Sequence, residues 1–89
     1  MARYELDPYE LPSCAGAGGK GDALFELGLR YCVGRDVALD LVEAHKWFNI
    51  ASMRGHAEAM RYRAELSREM SKAEVARAQR LAREWLALH

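Results

Sequence analysis

The chain of 89 residues is 51% hydrophobic and balances 13 Lys plus Arg against 13 Asp plus Glu. That length holds one domain with a modest core, and nucleic acid is not strongly implied, because the basic residues of the second half are spread between acids instead of forming a run. No apolar run approaches the roughly 20 residues that a membrane-spanning helix needs. The charge is unevenly divided: residues 1–43 hold 4 basic and 8 acidic side chains, and residues 44–89 hold 9 basic and 5 acidic.

Residues 1–21 contain Pro8, Pro12 and the cluster Ala15-Gly16-Ala17-Gly18-Gly19, so the sequence predicts an extended arm and flexible linker before a helical domain over 22–89. The arm repeats a Tyr-Glu-Leu pattern, Tyr4-Glu5-Leu6-Asp7-Pro8 then Tyr9-Glu10-Leu11-Pro12, which suits a segment that docks on its own domain or on a partner. A first helix follows over about 22–33, with Asp22 as its expected cap and Gly34 as its stop. Asp40 is the expected cap of a second helix over about 40–54, ended by Gly55. The third spans about 56–69, with Ala59, Tyr62, Leu66 and Met70 at helical spacing. Ser71-Lys72-Ala73-Glu74 is a capping-box signature opening a fourth helix to about 88, whose expected stripe is Ala78, Leu81, Trp85 and Leu88. The connections are short, and short connections favour antiparallel neighbours, so the fold expected is an all-α stack of helix hairpins.

Small residues at Ala23, Gly28, Ala44 and Ala51 predict that the first and second helices cross closely. Leu27 and Tyr31 are expected to fill volume on the first helix, and Trp47 and Phe48 to supply apolar area from the second. Val37, in the reversing loop Gly34-Arg35-Asp36-Val37, is placed to plug the hairpin's open end.

These positions resemble the Sel-one-like repeat (SLR) family, a relative of tetratricopeptide repeats (TPR). The resemblance runs through Ala23, Phe25, Leu27-Gly28, Tyr31, Gly34, Val37, Asp40, Ala44, Trp47-Phe48, Ala51, Gly55 and Ala59. It implies a short SLR/TPR-like α-solenoid of one full repeat, with residues 56–88 as a half-repeat and terminal cap, and a role in binding other proteins. The run AHKWFNIA is similar to small bacterial members, which implies a bacterial source. Asp36 stands where the family usually has glycine, and Asp tolerates a left-handed backbone. Arg30 occupies a commonly aliphatic position, where its charge is expected to reach solvent.

Chemical motifs are sparse. Gly16-Ala17-Gly18-Gly19-Lys20-Gly21 satisfies GxGxxG, but prolines precede it where a dinucleotide site needs a strand, and Asp40 reads better as a helix cap than as a ribose ligand. Cys14, Cys32, His45, His56 and His89 stand at no metal-ligand spacing, and Glu26 and Glu43 have no nucleophile beside them; no cofactor, metal or enzymatic activity is expected. With no CxxC motif and no apolar leader in MARYELDPYELP, a cytoplasmic, thiol-reduced protein is expected. Lys72, Arg77, Arg80 and Arg83 are interrupted by Glu74 and Glu84 and read as a solvated face.

The function expected is an adaptor that binds a peptide or helix of another protein in a groove between the first and third helices. Glu26, Arg30, Arg61, Glu65 and Arg68 are the candidate contacts. A self-associating homodimer, joined through Trp85 and Leu88 or the N-terminal arm, is the alternative; a nucleic-acid-binding module, which rests only on the basic second half, is the weakest reading.

Overall fold

The computed structural model describes residues 21–89, so the Tyr-Glu-Leu-Pro arm, Cys14 and the glycine cluster over 15–19 lie outside the described residues. The described residues form four helices: α1 (Asp22–Val33), α2 (Leu41–Met53), α3 (Ala57–Glu69) and α4 (Lys72–Leu88).

Local chemistry accounts for most of the boundaries. The Asp40 carboxylate accepts hydrogen bonds from the backbone N–H of Val42 (3.0 Å) and Glu43 (3.1 Å), capping α2. The capping box closes as expected: Ser71 Oγ accepts from Glu74 N, and Glu74 Oε1 accepts from Ser71 N. Gly34 ends α1 with φ 75°, Gly55 follows α2 with φ 96°, and Asp36 takes φ 66° in the loop between α1 and α2, all in the left-handed region.

Asp22 departs from its expected role. It is already helical, Gly21 occupies the cap position without a side-chain bond, and the Asp22 carboxylate pairs with His56 Nε2 at 3.2 Å. His56 is the unforeseen cap of α3, its Nδ1 accepting from Ala59 N at 3.2 Å. Gly21, assigned to the linker, is buried at this junction; a Cβ there would lie 2.9 Å from His56 Cβ and 3.0 Å from the Ala51 carbonyl oxygen.

The core joins Phe25, Leu29 and Cys32 of α1 to Ala44, Phe48 and Ala51 of α2, and to Ala59, Tyr62 and Leu66 of α3. The rings of Phe25, Phe48 and Tyr62 meet pairwise at centroid distances of 5.2–5.6 Å, so three helices share one aromatic cluster. Complete burial of Phe25, Phe48 and Leu66 removes large apolar surfaces from water, about 1.5–3 kcal/mol for each side chain. Gly28 sets the approach of α1 to α2: a Cβ would fall 2.6 Å from the Phe48 ring, a space only hydrogen fits.

Two expectations about α1 change. Leu27 is only part-buried, because the stripe of Phe25, Gly28, Leu29 and Cys32 lies on nearly the opposite side of the helix, whereas Tyr31, also part-buried, packs against the core as expected. Ala23 is exposed on the far side of the helix, away from the crossing, whereas Ala44 and Ala51 are fully buried. Val37 is part-buried in the loop.

The placement of α4 is the main tertiary finding. α2 packs against α1, α3 and α4, and α4 makes its helix-to-helix packing with α2 rather than with α3, its neighbour in sequence. Met70 (φ −102°, ψ 155°) and Ser71 (φ −74°, ψ 163°) are both extended, so the chain steps sideways before α4 begins. The buried stripe of α4 is rotated accordingly: Ala78 and Ala82 are buried, Leu81 and Trp85 are part-buried, and Leu88 is 81% exposed.

Candidate partner-binding surface

The sequence-derived contact residues all reach solvent. Glu26 and Arg30 are exposed one turn apart on α1, and Arg61, Glu65 and Arg68 are exposed on α3. Arg61 bonds Glu58 three residues earlier on its own helix, which raises the Arg61 pKa. Glu26, Arg30, Glu65 and Arg68 form no ion pair among the described residues, and the Arg30 side chain extends into solvent as expected.

Between α2 and α3 lies a polar seam that sequence reasoning missed. Ser67 Oγ donates to the Arg63 carbonyl oxygen at 3.0 Å, which leaves its oxygen to accept from His45 Nε2 at 2.9 Å. His45 is therefore the Nε2–H tautomer, and its buried Nδ1 has no hydrogen-bond partner. Burial, reinforced by the nearby Arg63 charge, pushes the His45 pKa from 6.5 down to about 4. Arg63 Nη1 donates to Asn49 Oδ1 at 2.6 Å and to Ser52 Oγ at 3.3 Å, and Ser52 Oγ in turn donates to the Asn49 carbonyl oxygen at 2.8 Å. The signal was present as spacing: His45, Asn49 and Ser52 form one polar stripe on α2, and Arg63 and Ser67 form the facing stripe on α3.

Trp47 and Trp85 seal α2 against α4. Their rings meet edge to face at 5.4 Å; Trp47 Nε1 donates to Glu43 Oε1 at 3.1 Å, and Lys46 pairs with the same carboxylate at 3.3 Å. His89 stacks on Trp85 at 4.2 Å and Arg54 lies 5.7 Å from the same ring, so much of Trp85 is spent within the chain.

Among the described residues, no group of three or more His, Cys, Asp or Glu side chains is placed to hold a metal ion, and no helix is long and apolar enough to cross a membrane. Asp40 is occupied as a helix cap. Comparison with known protein families, with curated proteins and with solved structures finds no match.

Proposed function

We propose that this protein is an interaction scaffold that binds a peptide or helix of a partner protein across the outward faces of α1 and α3, working in a reducing cytoplasm. The observation that carries the reading is the set of exposed charges that form no ion pair among the described residues: Glu26 and Arg30 on α1, Glu65 and Arg68 on α3. They are held on helices fixed by a shared aromatic core, which limits the entropy lost on binding.

The repeat-like reading draws support from the α1–α2 pairing. Tyr31 meets Asp40 near the loop, Gly28 meets Phe48 midway, and Gly21 meets Ala51 at the far end, an order that fits the helical hairpin of one Sel-one-like repeat. α4, seated on α2 through Trp85, fits a terminal cap.

The test is the fourfold variant Glu26→Lys, Arg30→Glu, Glu65→Lys, Arg68→Glu. It should keep the wild-type melting temperature within a few degrees, because exposed charges contribute little to stability, and lose the proteins that the wild type cross-links in cell extract. Retention of the same cross-linked proteins refutes the surface. Self-association is favoured by one observation, the 81% exposure of Leu88; light scattering that finds only monomer at high concentration removes it.

A further inference from the structure

Among the described residues, the Lys and Arg side chains withdrawn in part from solvent are Lys46 and Arg63. Lys46 has the Glu43 carboxylate, whereas Arg63 bonds only the neutral Asn49 and Ser52. A half-buried guanidinium without a counter-charge is costly, and its cost is recovered when an anion arrives. The arrangement also leaves a definite edge of the group open. Asn49 and Ser52 hold Nη1, so Nε and Nη2 remain as two parallel donors, the fork that a carboxylate accepts in bidentate fashion. Neighbouring His45 supplies no negative charge, and its Nε2 is committed to Ser67.

We propose that Arg63 anchors a binding site on the α2–α3 seam for a carboxylate of a partner peptide, with an apolar side chain of that peptide seated on Met53 and Met60. The Arg63–Asn49 and Ser67–His45 contacts set the register of the two helices. Met60, one turn before Arg63, and Met53, one turn after Asn49, therefore lie toward the same end of the seam, and they are 52% and 60% exposed. Methionine adapts to varied apolar shapes, so the charge selects an acid and the methionines accept the apolar residue beside it. The site stands apart from the exposed charges of α1 and α3, and its test reads different side chains.

The experiment follows the side-chain Nε–Hε signal of Arg63 in the 15N-labelled full chain during titration with three peptides. They are acetyl-Leu-Asp-Leu-amide, acetyl-Leu-Asn-Leu with a free C-terminal carboxylate, and acetyl-Leu-Asn-Leu-amide. A saturable shift of Arg63 with one or both carboxylate peptides is expected, at least tenfold tighter than with the peptide that has none; the tighter of the two identifies a side-chain or a terminal acid. Arg63→Lys should weaken that binding at least tenfold while Met60→Ser weakens it less. The site is overturned by an absent shift, by equal binding of the uncharged peptide, or by inorganic phosphate binding more tightly than either carboxylate peptide. The comparison among peptides uses the wild type and holds even if Arg63→Lys fails to fold.

Discussion

Acid should unfold this protein through His45. The ring is 1% exposed, its Nδ1 is unpartnered, and its pKa is lowered to about 4 from 6.5. A proton added to Nδ1 would place a charge in the interior beside the Arg63 guanidinium, so the folded state resists protonation while the unfolded chain accepts it below pH 6.5. The sign follows from linkage: between the two pKa values the unfolded state binds more protons, so stability falls as pH falls. The full contribution is present above pH 6.5 and is lost progressively as pH drops toward 4. A shift of this size corresponds to about 3 kcal/mol, from 1.36 kcal/mol per pKa unit, which is a large share of the roughly 5–15 kcal/mol that holds a small domain together. The assay is urea unfolding followed by far-ultraviolet circular dichroism from pH 7.5 to 4, on the wild type and on His45→Gln. Glutamine retains an N–H donor for Ser67 and does not titrate, while carboxylates titrate in both proteins and cancel in the difference. The wild type should lose about 3 kcal/mol more than the variant across this range. Parallel stability curves would refute the argument, as would a His45 ring that NMR finds protonated at pH 5.5 in the folded protein.

Two further outcomes test the packing. Gly28→Ala should lower stability by about 1–3 kcal/mol in chemical denaturation, because the new methyl group meets a fully buried Phe48 ring 2.6 Å away; an unchanged midpoint would mean that α1 and α2 do not cross there. A double-mutant cycle of Trp47→Ala and Trp85→Ala should give a coupling of about 0.5–1.5 kcal/mol, the usual range for aromatic pairs. Additive losses would detach α4 from α2.

The lengths of the helices were legible because their ends are written within a few residues. Asp40, Gly34, Gly55 and the Ser71–Glu74 box each act on backbone groups within one turn, and a pattern so local survives any tertiary arrangement. Gly28, Ala44 and Ala51 were readable as a close crossing for a related reason, since lack of side-chain bulk is a property of the residue itself. The exposure of Glu26, Arg30, Arg61, Glu65 and Arg68 followed from helix phase and charge.

What depended on distant partners was not legible. His56, rather than Asp22, became the cap that matters at the α1–α3 junction, because its ring stacks on Phe25 while bonding Ala59 and Asp22. The core stripe of α1 fell on Phe25, Leu29 and Cys32, with Tyr31 packed beside it and Leu27 turned away, since the positions of Phe48, His56 and Tyr62 decide which side of the helix faces inward. The polar seam joins residues up to 22 positions apart, and each of its members read alone is an ordinary surface or capping residue.

By itself, then, the sequence determined four amphipathic helices, their caps and their left-handed stops, because those features are satisfied by hydrogen bonds and steric freedom within a turn. Only the tertiary structure decided that α2 is the hub, that the extended pair Met70-Ser71 carries α4 across to it, and that His45 and Arg63 share one seam. Those outcomes depend on which apolar faces and polar side chains meet across helices, a choice made by packing the whole domain rather than by any short stretch of chain.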